Sequence, residues 1–372
     1  MGVFCTIVPP HILDRLARSA DGELAATARH TLEHDARHRT RRGLTASVGP
    51  AGAAAAGAAK ALTDQPVRSI YDARHRDDLP GHEVRVEGSA AVKDVSVNRA
   101  YDGLGDTFQT YLKAYGRHSV DGRGLPLVAS VHYLKGYDNA FWDGEQMVFG
   151  DGDGRVFLDF TIPIDVIGHE LTHGVTQYTA NLTYQGQSGA LNESVSDVFG
   201  SLVKQFTLGQ TADEADWLIG AGLLAPGING VALRSMKAPG TAYDDPHLGK
   251  DPQPATMAGY VDGPDDNGGV HTNSGIPNHA FYLVASALGG NAWERAGQIW
   301  YDTLTGGSLD PDVDFTGFAA ATTAAAQDRY GDGAEVQAVR AAWTTVGVTS
   351  GAAKAAASEL PGQQTGQQTQ QA

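Results

Sequence analysis

Hydrophobic residues recur three and four positions apart through most of the second half of the chain. Between residues 162 and 178, one helical face carries Val166, Ile167, Leu171 and Val175. Pro163 fits the first turn, where its missing N–H would have no partner in any case. The same spacing predicts further helices at 188–206, 215–224, 278–287, 292–304, 315–329 and 334–346. We therefore expect a helical second half.

The first half alternates apolar and polar residues, which is typical of strands. This alternation predicts strands at 68–72, 84–87 and 128–133, and an edge strand with an ordered loop within 138–154. One helix interrupts them, because residues 95–115 place Tyr101, Leu104 and Phe108 on a single stripe. Strands in one half and helices in the other indicate an α+β protein.

The two ends differ from this body. Residues 1–42 form a polar helical pattern in which His30, His34 and His38 fall four apart, and the flanking Arg and Glu residues favour a solvated helix face over a metal site. Residues 43–66, rich in Ala and Gly, predict a flexible linker. The segment 350–372, rich in Gln, predicts a disordered tail. We accordingly divide the chain at 1–60, 61–162, 163–349 and 350–372.

Charge narrows the classes of partner. The chain has 372 residues and a net charge of −16; residues 1–50 carry +2 and the remainder −18. Such an acidic body disfavours nucleic acid and anionic membranes as partners. No apolar stretch approaches the length of a membrane span, and the N-terminus has no obvious signal peptide. The single cysteine, Cys5, excludes an intramolecular disulfide.

Candidate chemistry lies on the predicted helix at 162–178. His169 and His173 are four apart and share a face, with Glu170 between them, which is the H-E-x-x-H arrangement of zinc peptidases. A buried helix with hydrogen-bonded histidines would show the same five residues. A third ligand is available in Glu193, after a gap that suits a turn and an antiparallel helix. Asp197, four residues later, can orient a ligating imidazole.

The combination of H-E-x-x-H with N-E-x-x-S-D at 192–197 closely resembles the thermolysin family of zinc metallopeptidases, over about residues 67–347. The N-terminal Pro9-Pro10-His11-Ile12-Leu13 is similar to the protealysin-type branch, which has a short propeptide. This resemblance implies a two-domain zincin, with a β-rich N-terminal domain, an α-helical C-terminal domain and the zinc cleft between them. It also implies a metalloendopeptidase precursor that is secreted, with a cytoplasmic location as the alternative.

The resemblance also assigns roles at the metal. It implies that His169, His173 and Glu193 bind one zinc ion per chain and that Glu170 is the general base. Asp197 and Asn192 would lie behind these ligands, with Asp197 supporting His169. His271 would stabilise the transition state, with Asp266 holding its ring and Tyr184 assisting as a phenol donor.

Substrate-binding residues follow from the same resemblance. Asn139 and the backbone of Ala140 would bind an extended peptide along the edge strand, and Arg234 would contact a substrate carbonyl. The apolar pocket for the residue after the scissile bond would be lined by Phe157, Phe160, Val166 and Leu233. We therefore expect cleavage before Leu, Phe, Ile or Val.

The chain departs from the family at its calcium sites. Asp165 and Asp216 match the double-calcium cluster, but Lys204, Leu218 and Ala221 stand where acidic ligands are expected, and Val231 replaces another calcium aspartate. We hypothesise that the Lys204 ammonium replaces calcium by pairing with Asp165 or Asp216. The loop at 151–154 is interpreted as a turn and not as a cation site.

The N-terminal segment is expected to act as an inhibitory propeptide, with Pro9, Pro10 and Leu13 docking near the cleft. Cys5 has two interpretations: a small residue packing a strand, which we favour, or a thiolate on the zinc. Peptides, proteins and the propeptide itself are the expected partners of a monomer.

Two rival functions stay open at this point. One is a zinc-bearing binding or adhesion module that has lost catalysis, and the other is a zinc aminopeptidase. The presence of Glu170, His271 and Tyr184 disfavours the first. The second would need an acidic anchor for a free amino terminus, and no such motif is apparent.

Overall fold

The computed structural model describes residues 5–45 and 62–348, with the backbone alone for residues 39–45. The predicted tail lies outside the described residues, and so does most of the predicted linker. The order of the elements agrees with the two predicted halves. All strands of the main sheet precede residue 150, and helices predominate after residue 163.

Six strands form the main sheet. They are β1 (Cys5–Thr6), β2 (Arg68–Asp72), β3 (His82–Val86), β4 (Leu127–Val131), β5 (Ala140–Trp142) and β6 (Met147–Phe149). Their order is β1-β5-β6-β4-β2-β3, with β2 and β6 parallel to β4 and the other pairs antiparallel. The predicted edge strand, β5, is therefore covered by the N-terminal strand β1.

The N-terminal segment continues from β1 into two helices, α1 (Pro10–Ala17) and α2 (Gly22–Thr45). The predicted solvated histidine face on α2 is wrong. His34 is only 7% exposed, and the ring of His38 hydrogen-bonds the hydroxyl of Tyr133 at 2.9 Å. The reason is tertiary: α2 lies against aromatic residues of the sheet region, which its polar sequence does not reveal.

Helix α3 (Val95–Tyr115) has the predicted bounds. The carboxylate of Asp94 caps its first turn by accepting from the N–H groups of Ser96 and Val97, and Gly116 ends it in the left-handed conformation (φ 66°). Its predicted stripe, including Leu104 and Phe108, is buried against the core.

The second half contains α4 (Ile164–Gln177), α5 (Gly186–Leu208), α6 (Asp266–Asn273), α7 (Gly275–Leu288), α8 (Ala296–Thr305), α9 (Phe315–Tyr330) and α10 (Ala334–Thr345). Two short antiparallel strand pairs and loops separate α5 from α6. No helix in the described part of the chain is long and apolar enough to cross a bilayer.

The predicted helix at 215–224 is wrong. Trp217 has a positive φ of 57°, and the carboxylate of Asp216 accepts a hydrogen bond from the N–H of Leu218 at 3.0 Å. This local side-chain bond competes with helix formation. The chain instead forms strand β7 (Leu218–Ile219), antiparallel to β8 (Arg234–Ser235). The hairpin β9 (Asp244–Asp245) and β10 (Gly249–Lys250) follows.

Two glycines allow α4 and α5 to approach closely. A Cβ atom on Gly200 would lie 2.4 Å from the carbonyl oxygen of Asp165 and 3.0 Å from the backbone nitrogen of His169. A Cβ atom on Gly168 would lie 3.1 Å from the Cα atom of Gly200. Small residues at this crossing therefore bring the inward faces of the two helices within reach of each other.

Candidate active site

Helices α4 and α5 bring three predicted metal ligands together. The Nε2 atoms of His169 and His173 are 3.0 Å apart. The carboxylate oxygens of Glu193 lie 3.6 Å from His169 Nε2 and 3.5 Å from His173 Nε2. All three side chains are buried.

Two further residues orient the imidazoles. The Nδ1 atom of His169 lies 2.8 Å from Asp197 Oδ1, and that of His173 lies 2.9 Å from Asn192 Oδ1. Both partners are acceptors, so each Nδ1 carries the proton and each Nε2 presents a lone pair. Burial and the neighbouring His169 hold the pKa of His173 well below its usual value, which keeps this imidazole neutral.

The three donors fit a zinc ion. A tetrahedral zinc with bonds of about 2.0–2.1 Å has ligand atoms about 3.3 Å apart, close to the spacing of this cluster. Two facing lone pairs and a carboxylate repel one another without a cation between them. In addition, Glu193 Oε2 is buried with no hydrogen-bond partner among the described residues. Two nitrogens and one oxygen leave a fourth position open, as in catalytic zinc sites.

Glu170 lies beside this cluster. Its Oε2 atom accepts a hydrogen bond from the N–H of Trp142 at 3.0 Å, whereas its buried Oε1 atom has no such partner within the described ranges. Burial and the nearby Glu193 raise the pKa of Glu170 well above its usual value. One oxygen is therefore positioned by strand β5 and the other is available as a proton acceptor.

His271, on α6, lies next to the same cluster, with its Nε2 atom 3.6 Å from Glu193 Oε2. Its Nδ1 atom lies 2.7 Å from Asp266 Oδ1, and its Nε2 atom lies 3.2 Å from the Tyr184 hydroxyl. Burial lowers the pKa of His271, but the carboxylates of Asp266 and Glu193 outweigh it and raise this pKa to about 9. The ring is therefore a cationic donor at neutral pH. Tyr184 also donates a hydrogen bond to Glu193.

The predicted substrate-binding groups contact the N-terminal segment. Asn139 Oδ1 accepts from the N–H of Val8 at 3.0 Å, and the carbonyl of Ala140 accepts from the N–H of Ile7 at 3.2 Å. The guanidinium of Arg234 donates to the carbonyl of Ile7 at 2.9 Å. The chain thus lies as an extended strand across the cleft, with backbone hydrogen bonds of the β-addition type.

Arg234 also belongs to a network that sequence reasoning missed. It forms two hydrogen bonds of 2.8 Å with the carboxylate of Asp197, and Asn278 donates to the same carboxylate at 2.8 Å. Asp197 is fully buried, and Arg234 and His169 hold its pKa below the usual value against the effect of burial. No local signal links these residues, since the arginine lies 37 positions after the aspartate.

The predicted apolar pocket residues are all buried in the main core cluster. Phe157 and Phe160 have ring centroids 5.9 Å apart, and Val166 and Leu233 belong to the same cluster as Ile7. All four residues are thus part of the hydrophobic core, and their role in specificity stays a prediction.

Lys204 contacts both hypothesised partners. Its ammonium nitrogen lies 3.1 Å from Asp165 Oδ2 and 2.7 Å from Asp216 Oδ2. Asp165 is buried and also accepts from the N–H of Gly220 at 3.0 Å.

Val231, which stands where the family has a calcium-binding aspartate, is 60% exposed. In the loop at 151–154, Asp153 Oδ1 accepts three backbone N–H bonds, as in a turn.

The remaining predicted propeptide residues lie in β1 and at the start of α1. Pro9 precedes α1, Pro10 occupies its first turn and Leu13 is fully buried. Cys5 is 1% exposed and lies opposite Trp142 in the pairing of β1 with β5. Its sulphur belongs to a group with His173 and Glu193 whose potential ligand atoms all lie within 4.8 Å of one another.

A strand-containing half, a helical half and a buried His–His–Glu cluster beside a further glutamate define the class of two-domain zinc metallopeptidases. Residues 53–177 match the catalytic domain of the thermolysin metallopeptidases, and residues 180–348 match the α-helical domain of the same peptidases. The chain belongs to the thermolysin family of metallopeptidases.

Relatives cover nearly the whole chain. The extracellular metalloprotease of Pectobacterium carotovorum subsp. carotovorum is 51% identical over 348 residues, which are 92% of this chain and 96% of that protein. Protease PrtS of Photorhabdus sp. (strain Az29) is 54% identical over 77% of this chain and 78% of its own length. The solved precursor of protealysin from Serratia proteamaculans superimposes with a TM-score of 0.84, at 53% identity, covering 93% of this chain and all of that one.

Proposed function

We propose that this chain is the precursor of a zinc metalloendopeptidase in which His169, His173 and Glu193 hold one zinc ion and Glu170 is the general base. The observation that carries this proposal is the pair of Nε2 atoms 3.0 Å apart, with Glu170 beside them. Residues 1–60 are the propeptide with its linker, and 61–162 and 163–349 are the two peptidase domains.

Each residue has a distinct task. Zinc, when bound, supplies Lewis acidity and lowers the pKa of water at the site. Glu170 Oε1 accepts a proton from the water that attacks the scissile carbonyl and then delivers it to the leaving amine. His271, held by Asp266, and Tyr184 donate hydrogen bonds to the developing oxyanion. Asp197 and Asn192 keep both ligating imidazoles in the required tautomer.

The N-terminal segment indicates how a substrate lies. A peptide on the same path would place one carbonyl at His271 and the next at Arg234, with its N–H groups on Ala140 and Asn139. The side chain after the scissile bond would then enter the apolar region of Phe157, Phe160, Val166 and Leu233. This arrangement supports cleavage before Leu, Phe, Ile or Val.

The propeptide occupies these groups and is therefore proposed as the enzyme's own inhibitor. We further propose a monomer, secreted from the cell, because two of its similar relatives are named extracellular metalloproteases. Calcium is not expected at the double site, because Lys204 supplies the positive charge there.

The test combines metal content with hydrolysis of an N-acetylated peptide that carries an internal leucine. The matured protein is expected to contain one zinc per chain and to cut this peptide before the leucine, and a zinc chelator should abolish cleavage. The same peptide without the acetyl group serves for comparison, because an aminopeptidase would cut only this unblocked form. A binding module would retain zinc and cut neither form of the peptide. Either result would overturn the proposal.

A further inference from the structure

The N-terminal segment lies in the cleft as a substrate would, so a segment that inhibits the enzyme must escape hydrolysis there. The Nε2 atom of His271 lies 3.0 Å from the carbonyl oxygen of Thr6, and Arg234 holds the next carbonyl, that of Ile7. The peptide bond between Thr6 and Ile7 is therefore presented at the position of a scissile bond, followed by an apolar side chain. Something besides poor alignment must protect this bond.

Cys5 directly precedes Thr6, whose carbonyl carbon forms this bond. It is buried, and its sulphur reaches the part of the cluster formed by His173 and Glu193, whose potential ligand atoms lie within 4.8 Å of it. This spacing brings the sulphur close to two of the three proposed zinc ligands, and zinc accepts thiolate sulphur as a ligand. The buried Glu193 Oε2, without a hydrogen-bond partner in the described chain, points to a cation at this place.

We propose that Cys5 is the fourth zinc ligand of the precursor and that its sulphur excludes the catalytic water. This inference rests on the proposed zinc site of His169, His173 and Glu193. The thiol releases its proton to solvent when the zinc–sulphur bond forms, and it takes a proton back when that bond breaks. No oxidation or reduction is involved.

This arrangement would protect a well-aligned bond from hydrolysis. Glu170 remains beside the cluster, but with sulphur in the open position there is no activated water from which it could take a proton. Loss of the N-terminal segment removes the sulphur and opens this position. Thiolates are strong zinc ligands, so the same bond also anchors β1 in the cleft.

The direct test uses cobalt in place of zinc, in the full chain carrying Glu170→Gln so that the propeptide stays attached. The parent precursor is expected to bind one cobalt per chain and to show the thiolate-to-cobalt absorption in the near ultraviolet. Cys5→Ser in the same background should bind one cobalt without this absorption. Asp14→Ala, an exposed change in the same segment that keeps the sulphur, should retain it.

Three results distinguish a failure of the proposed role of Cys5 from a failure of the proposed zinc site. One bound cobalt with no thiolate absorption in the parent would overturn the role of Cys5 and leave the zinc site standing. Thiolate absorption that persists in Cys5→Ser would overturn it as well. Failure of both proteins to bind cobalt would contradict the zinc site itself, and the inference with it.

A second measurement follows maturation of the chain with Glu170 intact. Cys5→Ser is expected to mature several-fold faster than the parent, whereas Asp14→Ala, on the exposed face of α1, should stay close to the parent. A Cys5→Ser precursor that stays latent and matures at the parental rate would overturn the proposal.

Discussion

The side-chain amide of Asn139 donates a hydrogen bond of 3.1 Å to the carboxylate of Asp35. The same amide accepts through its oxygen from the N–H of Val8 at 3.0 Å. Asp35 of helix α2 therefore fixes the nitrogen of the Asn139 amide, and Val8, just after β1, fixes its oxygen. Asp35 also accepts from the hydroxyl of Tyr137, and it is only 2% exposed.

Removal of this carboxylate should release the N-terminal segment. In Asp35→Ala, the buried donors of Asn139 and Tyr137 lose their acceptor, at a cost of about 1–3 kcal/mol for each unsatisfied group. Hydrogen exchange in the Glu170→Gln background is expected to show lost protection across residues 5–17. Asp14→Ala, on the exposed face of α1, is the control, and unchanged protection in Asp35→Ala would contradict the role of this contact.

Lys204 should contribute strongly to stability. In Lys204→Met the carboxylate of Asp165 remains buried without its cation, which typically costs about 3–5 kcal/mol. Thermal unfolding should show a clear drop in Tm, while the exposed Lys237→Met should not change it. Added calcium should leave the parent unchanged; a Tm that rises with calcium would contradict the replacement of calcium by lysine.

The crossing of α4 and α5 should not tolerate a methyl group. In Gly200→Ala the new Cβ atom would meet the carbonyl of Asp165 at 2.4 Å, so the helices must move apart and carry His169 away from Glu193. We expect a loss of about 1–3 kcal/mol in the free energy of unfolding and weaker zinc binding in competition with a chelator. Gly263→Ala, where no atom lies within 4 Å of the new Cβ, is the control; equal zinc affinity in both variants would be evidence against this explanation.

His132 should make stability depend on pH. Its ring lies 2.7 Å from Asp151 Oδ1 and 2.9 Å from Asp94 Oδ2, and the hydrogen bond to Asp151 contributes most to raising its pKa from 6.5 to about 9. Because the folded value is the higher one, the protonated ring stabilises the fold fully below about pH 6.5, and this contribution disappears as the pH rises through about 9.

The measurement compares the parent with His132→Asn, since asparagine tolerates the positive φ of 55° at this position. The difference in the free energy of unfolding should be largest at acidic pH and should shrink towards pH 10 or so. The exposed His82→Asn serves as the control. A difference that stays constant over this range would show that charge at His132 is not involved.

The sequence predicts local features well. The bounds of α3 and the shared face of His169 and His173 follow from spacing within one helix, where 3.6 residues per turn fix the geometry. Contacts between distant segments do not follow in this way. The pairing of Arg234 with Asp197, the docking of α2 on aromatic residues and the position of Cys5 depend on tertiary packing. The expected helix at 215–224 fails because Trp217 has a left-handed conformation that composition does not reveal.

The most direct test of the account is the hydrolysis of an N-acetylated peptide by the chain with Glu170→Gln. With one zinc per chain verified in both proteins, the full-length Glu170→Gln chain should keep its propeptide. Once residues 1–60 are removed from both proteins, kcat/KM of the variant should still be about 10³-fold below that of the parent. Glu145→Gln, an exposed change outside the cluster, should leave both unchanged. A Glu170→Gln protein that matures and cuts the peptide at the parental rate would contradict the central role of Glu170.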